Sequence, residues 1–382
     1  MICAKCKGNL VCGRCKLLES INVAYLPVKN KIEDPTPPSI FIGRIGYPKV
    51  FAGPLVVFSG NPELYDNPSS WSGRVEDVLR MRMNVARGVK RVDVKRFDEY
   101  VLKIQEIAAA KKYFDVEADV KKVVKKPLFD EIVNPAGVSA RIENLKLAEN
   151  PKLPGVVEKL WYDEVKANEA VYKLFERGFP THYIQRVFSA GILGVEKKLV
   201  PTRWSITAVH DILGEKIKEE IKDFDEINDV SLFFYEHFGN RFVVILYPSS
   251  YHFQLVEVWI EESFWSPERT WIGVDSESRG KKKKYSELSG GYYAARLPVL
   301  EYLKEKRRQA GVIVVREITP EYKFPLGVWV VEEGIRKAMK TKPLKFETLH
   351  ESLSYAEKLT LNKDWRKLIF KQTSLDRFLR SS

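Results

Sequence analysis

Apolar residues alternate with glycines from Ser39 to Leu55, the two-residue rhythm of strands joined by tight turns. Asn67-Pro68-Ser69-Ser70-Trp71 then opens a run in which Val75, Val78, Leu79 and Met83 share one helical face. The pattern carries this helix through Arg87 and stops it at Gly88. A period of three to four residues predicts further helices over 97–111, 162–177, 208–224, 297–309, 330–339 and 346–361. Strand-like runs fall at 138–145, 230–237, 241–247, 253–261, 270–274 and 311–317. Those between 230 and 274 follow one another through short turns such as Phe238-Gly239-Asn240. Neighbours joined in this way predict a mainly antiparallel sheet within an α+β fold. There is no internal repeat.

A chain of 382 residues, 45% of them hydrophobic, can bury one large or two moderate cores, which excludes a disordered tail protein. No apolar run approaches the roughly 20 residues needed to cross a bilayer, so no membrane role is expected. The amino terminus lacks a charged-then-apolar targeting segment, and a cytoplasmic monomer is expected. Lysines and arginines outnumber acids, 63 to 51, for a net charge of +12. The excess includes the runs Lys121-Lys122-Val123-Val124-Lys125-Lys126 and Arg279-Gly280-Lys281-Lys282-Lys283-Lys284. It favours polyanions as partners, although a charge run also makes an ordinary solvated face.

All four cysteines lie within thirteen residues, as the two CxxC knuckles Cys3-Ala4-Lys5-Cys6 and Cys12-Gly13-Arg14-Cys15. Two such turns supply the four sulfurs that tetrahedral Zn²⁺ takes in a closed structural site, so Cys3, Cys6, Cys12 and Cys15 are the expected ligands. Cys₄ also suits an iron–sulfur cluster. Disulfides or a redox CxxC fit less well, because no secretory signal or strand–helix context accompanies the cysteines.

The other end of the chain has a spacing of its own. Gln372, then Leu375, then Phe378-Leu379 resemble the PCNA-interacting peptide of replication and repair proteins. One turn of 3₁₀ helix at Leu375 would bring Leu375, Phe378 and Leu379 to one side as a plug, with Gln372 at the rim of the receiving pocket. Lys371, Arg377 and Arg380 would suit an acidic partner surface. The family form often ends in two aromatics, whereas this chain has Phe378-Leu379. The same residues would also fit the apolar stripe of a last helix folded on the core.

Four internal segments carry a wider resemblance: Arg44-Ile45-Gly46-Tyr47-Pro48, Ala140-Arg141-Ile142-Glu143-Asn144-Leu145, Pro201-Thr202-Arg203-Trp204-Ser205-Ile206-Thr207-Ala208-Val209 and Leu326-Gly327-Val328-Trp329-Val330-Val331. Together they are similar to the archaeal Nre proteins, a DNA-repair family with a zinc motif at one end and a PCNA-interacting motif at the other in many members. The resemblance spans nearly the whole chain and implies DNA-damage repair together with the clamp. It brings no settled reaction. The organisation expected is a zinc knuckle at 1–20, a proline-rich linker at 21–39, an Nre N-terminal-type core at 40–290, an Nre C-terminal-type region at 291–362, and a flexible clamp-binding tail at 363–382.

Chemistry within the core is less marked. No phosphate-binding GxxxxGK[ST] loop, GxGxxG fingerprint, HExxH site or acidic nuclease cluster is present. Arg44, between Gly43 and Gly46, could meet phosphate, or the glycines could serve only a strand-end turn. Arg203, Trp204, Thr207, His210 and Asp211 fall within about two and a half helical turns. If Ser205 caps that helix, Trp204 could stack on a base, Arg203 hold phosphate and His210 move a proton. A capped amphipathic helix with a buried tryptophan accounts for the same residues. His252 begins a strand with Gln254 on the same face, as a site residue or an edge histidine. Pro298 is expected in the first turn of its helix, which would place Gly290, Gly291 and Arg296 just ahead of an anion-binding helix start, with Arg316 near by. The bland counterpart is a glycine loop.

Two classes of function follow: a clamp-tethered repair factor that binds DNA without chemistry, or a metal-independent enzyme acting on nucleotides or nucleic-acid ends. An RNA-binding zinc protein is a third. A pocket joining Arg203, His210, His252 and Arg296 would favour the enzyme, and their dispersal the repair factor.

Overall fold

A computed structural model describes residues 31–57, 61–124 and 127–369. The four cysteines and the Gln372–Leu379 peptide lie outside the described residues. The fold is α+β, in two compact units: Met1–Leu213 with Pro325–Gly327, and Gly214–Phe324 with Val328–Ser382.

The first unit is built on six strands, β1 (Lys31–Thr36), β2 (Ile40–Ile42), β3 (Lys49–Val57), β4 (Val85–Asp93), β5 (Phe114–Val124) and β6 (Ser139–Leu147), in the order β1-β5-β6-β4-β3-β2. β1 lies in the stretch read as a linker; it is extended, as suits Pro35, but it is also paired with β5. Six helices belong to this unit: α1 (Pro62–Asp66), α2 (Val75–Met83), α3 (Glu99–Ala109), α4 (Gly155–Tyr162), α5 (Ala167–Glu176) and α6 (Thr181–Ser189). A seventh, α7 (Thr202–Ile221), begins in it. The Asp98 side chain caps α3 by accepting from the Val101 N–H at 3.0 Å. The buried stripe of α3 includes Val101, Ile104 and Ala108, and Tyr100 donates to the Ala52 carbonyl at 2.9 Å, tying the helix to β3. A Cβ on Gly53 would lie 1.8 Å from the Gly88 carbonyl oxygen, so only glycine fits where β3 passes this close to β4.

The second unit holds β7 (Val230–His237), β8 (Asn240–Tyr247), β9 (His252–Trp259), β10 (Trp271–Glu277), β11 (Gly311–Ile318) and β12 (Leu344–Phe346), ordered β10-β9-β11-β8-β7-β12. Helices α8 (Ser289–Lys306) and α9 (Trp329–Ala338) pack on one face. On the other, α10 (Leu349–Leu359) adds Leu353 and Ala356 to a core with Val243, Ile245, Val256 and Trp365. Every residue of β11 is buried, which accounts for its unbroken apolar run Gly311–Val315.

The sheets are mixed rather than mainly antiparallel. β4 runs parallel to β6, and β9 parallel to β11, within otherwise antiparallel ladders. The departure has a topological reason: β8 and β9 are neighbours in sequence, yet β11 returns after α8 and inserts between them. Local turn chemistry predicts hairpins and is silent about such a crossover.

His237, at the end of β7, is 8% exposed, with the Phe238 ring 4.2 Å and the Trp329 ring 6.1 Å away, centroid to centroid. Burial, with Lys337 adding to it, lowers its pKa from 6.5 to about 3. The folded protein therefore holds it neutral, and its contribution to stability is complete above pH 6.5 and lost as pH falls from there toward about 3. By pH 5 the loss from this residue should reach roughly 2 kcal/mol. Denaturation of the wild type and of His237→Phe at pH 7 and pH 5 measures it, and equal pH dependence of the two would refute it.

Candidate nucleic-acid interface

The exposed hairpin between β2 and β3 carries Arg44, Ile45 and Tyr47 into solvent. Gly46 takes φ +83°, and a Cβ there would meet the Lys49 carbonyl at 2.9 Å, so the turn itself accounts for this glycine. Ile45 is 87% exposed and Tyr47 43%, and the Tyr47 ring rests 5.2 Å from that of Trp204, itself 45% exposed, in the first turn of α7. Two aromatic rings half in water are costly to hold there unless something covers them.

The turn continues onto a face of the first sheet. Register places Phe51 of β3 opposite Arg91 of β4, and Arg141 of β6 opposite Val89, so these side chains share one face. The Arg141 guanidinium lies 5.2 Å from the half-exposed Phe51 ring, and that of Arg87 lies 5.4 Å from the Phe41 ring. Arg91 reaches back toward the hairpin, its Nη2 3.9 Å from where a Gly46 side chain would start. Arg44, Arg91 and Arg141 are exposed, and none forms an ion pair among the described residues. Burial lowers the pKa of Arg87 to about 10, which leaves it charged at neutral pH. The guanidiniums of Arg91 and Arg141, without ion pairs among the described residues, alternate with π-faces and can hold phosphates while bases stack, an arrangement suited to single-stranded nucleic acid.

The family model described as "Archaeal Nre, N-terminal" matches residues 11–266, and that described as "Archaeal Nre, C-terminal" matches 277–381. The chain belongs to the archaeal Nre family. It is 54% identical to the "DNA repair protein NreA" of Archaeoglobus fulgidus, over 98% of each chain. It is 40% identical to the "DNA repair protein NreB" of that organism, over 99% of this chain and 97% of the other. A third relative, the "DNA repair protein NreA" of Haloferax volcanii, is 34% identical over 83% of this chain and 80% of its own length. No solved structure gives a significant match.

In this Nre protein α7 does not start at Ser205. It starts at Thr202, after Pro201, and the Ser205 hydroxyl donates to the Thr202 carbonyl at 3.1 Å. Trp204 accordingly points outward instead of being buried. Arg203 turns to Asp130 and Glu131; burial works against its charge, but the two carboxylates outweigh that and raise its pKa. His210 is 1% exposed and pairs with the Gln185 amide at 3.2 Å. Thr207 follows Trp204 on the same helix with a buried hydroxyl, and Asp211 is half-buried.

The remaining candidates belong to the second unit, each with partners of its own. His252 hydrogen-bonds Tyr247 across Gly311, where a Cβ would lie 2.5 Å from the imidazole; burial lowers the histidine pKa and raises that of the tyrosine to about 12. Gly290, Gly291 and Arg296 do not precede a helix, because α8 begins at Ser289 and runs through Pro298. Gly291 instead makes room for Glu257, whose Oε1 would sit 2.9 Å from a Cβ there and which pairs with Arg316 at 2.8 Å. Arg296 is wholly buried, 2.9 Å from Glu215 and 2.7 Å from Glu277. Arg203 and His210 thus fall in one unit, and His252 and Arg296 in the other. The sequence reading missed Phe51, Arg87 and Arg91, although the alternation Arg87-Gly88-Val89-Lys90-Arg91 carried the signal.

Among the described residues no helix is long and apolar enough to cross a membrane, and no cluster of three or more histidine, cysteine or acidic side chains could hold a metal ion.

Proposed function

We propose that this Nre protein is a DNA-repair factor that holds DNA against the open face of its first sheet while its last residues tether it to the PCNA clamp. The observation that carries the DNA half is the alternation of Arg91 and Arg141, which form no ion pair among the described residues, with Phe51, continued by the exposed Tyr47–Trp204 pair. The net charge of +12 and the names of the relatives support the same reading. Gln372, Leu375, Phe378 and Leu379 supply the clamp plug, and Cys3, Cys6, Cys12 and Cys15 hold a structural zinc ion that orders the amino-terminal knuckle. The protein works in the cytoplasm as a monomer, and the reading assigns it no reaction.

Calorimetric titration of the full chain into the sliding clamp of the same organism tests the tether. Binding should be lost in Phe378→Ala, with the folded core unchanged by circular dichroism. Equal affinity of the two proteins would remove the clamp from the reading. Elemental analysis of the same preparation should give one zinc per chain.

A further inference from the structure

The first unit contains a cleft of about 690 Å³, including its open mouth, between β2 and helices α1, α2, α6 and α7. Its walls are apolar where Ile40, Phe41, Leu55 and Ile206 meet, and the Asn134 and Gln185 amides line it as well. Two buried arginines also line it, Arg82 at 3% and Arg186 at 7% exposure, with one carboxylate, Asp66.

The two arginines differ in what they do. Arg186 has all three nitrogens engaged: it pairs with Asp66 through Nη1 and donates from Nε and Nη2 to the Ala108 and Ala110 carbonyls at 2.8 and 2.9 Å, closing the carboxyl end of α3. Asp66 also receives the Ser39 hydroxyl. Among the described residues Arg82 hydrogen-bonds only through Nε and Nη1, each at 2.8 Å, to the Pro135 and Tyr65 carbonyls; its guanidinium also lies 5.4 Å from the Trp71 ring, and no carboxylate hydrogen-bonds to it. Burial lowers its pKa to about 10, with Asp66 opposing, so it remains a cation at neutral pH. The lining therefore holds one more buried positive charge than negative, on a guanidinium with N–H groups to spare. A buried cation without a hydrogen-bonded counter-ion is destabilising, and an anion entering the cleft would relieve it.

We propose that this cleft binds a phosphate monoester of a nucleotide, with the phosphate on Arg82. The phosphate supplies up to two negative charges and three acceptor oxygens. The half-exposed Phe41 ring, already faced by Arg87, offers the base a stacking surface, and the Asn134 and Gln185 amides offer its edge hydrogen bonds. The free nucleotide and the phosphorylated end of a nucleic acid share this chemistry. The assignment does not depend on DNA binding by the open sheet face.

Calorimetry of the full chain with deoxyadenosine monophosphate, deoxyadenosine and inorganic phosphate reads the site. The monophosphate should bind at least about tenfold more tightly than the nucleoside, as a charge-assisted hydrogen bond implies. Arg82→Gln should abolish that preference. Asp66→Asn, which removes the competing carboxylate, should strengthen monophosphate binding, whereas a purely structural role for the cluster predicts no gain. On the wild type alone, the ³¹P resonance of the bound monophosphate should titrate at a lower pH than that of the free one, so the test survives if either variant fails to fold. Equal binding of nucleotide and nucleoside, or an unshifted phosphate titration, overturns the proposal. An oligonucleotide with and without a 5′-phosphate then identifies the source. A gain from the phosphate assigns the site to nucleic-acid ends, and no gain assigns it to free nucleotides. Failure of DNA binding by the sheet face would show instead as weak binding of the unphosphorylated oligonucleotide, with the monophosphate still bound.

Discussion

Replacing Arg91 and Arg141 together by alanine should weaken binding of a short single-stranded oligonucleotide by about a hundredfold at low salt, and the salt dependence should reveal the reason. Each phosphate contact contributes about 0.7 to the slope of log affinity against log salt on a single strand. Loss of two contacts should therefore make the slope shallower by about 1.4. Trp204→Ala acts on the other half of the interface: loss of one stacked base should lower affinity roughly tenfold or more and leave the slope unchanged. Because Arg91, Arg141 and Trp204 are exposed and the two arginines form no ion pairs among the described residues, none of these changes should lower the melting temperature measurably. The salt-slope difference separates true contacts from general charge loss, since removing any two of the 63 lysines and arginines changes net charge equally. A double variant at Lys340 and Lys342, exposed on the second unit, provides that comparison. If it weakens binding as much as the Arg91 and Arg141 pair does, the sheet face is not the interface.

How far this surface could be read from the sequence depends on which forces are local. The strand 230–237 was legible to its ends, and α3 nearly so, because alternation, heptad-like spacing and the Asp98 cap are written in neighbouring residues. The helix drawn through Arg87 stops at Met83, since Val85–Asp93 gains more as a central strand between β3 and β6 than as two further helical turns. Gly88, read as a helix stop, lies inside that strand, and it is Gly53 opposite that must be glycine to clear its carbonyl. α8 shows the same failure in reverse. Gly290, Gly291 and Pro298 lower its local helix propensity, yet the Glu257–Arg316 pair needs the space that Gly291 leaves. The β3–β4–β6 face was invisible for a simpler reason: Phe51, Arg91 and Arg141 lie far apart in sequence and meet only through register. Of the arginines that the sequence offered, Arg203 and the buried Arg296 and Arg316 pair with carboxylates, and Arg44 alone is exposed.

That burial sets the largest stability effect expected for a single substitution. Arg296 and Lys218 are 0% and 2% exposed, and both depend on Glu277, at 2.7 and 3.5 Å, with Glu215 as their second carboxylate. The Tyr251 hydroxyl lies 3.5 Å from Glu277, and its pKa is raised well above the ordinary value, first by burial and then by Glu277, so it stays a phenol that donates to the carboxylate. Glu277→Ala leaves two buried cations sharing Glu215, and breaking such a network on one side costs about 3–5 kcal/mol. Glu277→Gln keeps the shape and one acceptor and should cost less, which separates loss of charge from loss of packing. Combining Glu277→Leu with Arg296→Met removes a cation together with its anion, and it should recover much of the loss, because the desolvation cost of a buried pair offsets most of its attraction. Urea denaturation of the three variants measures this order. A Glu277→Ala protein destabilised by less than about 1 kcal/mol, the size of an ordinary surface effect, would show that water reaches these cations and that the network is not the dry one described.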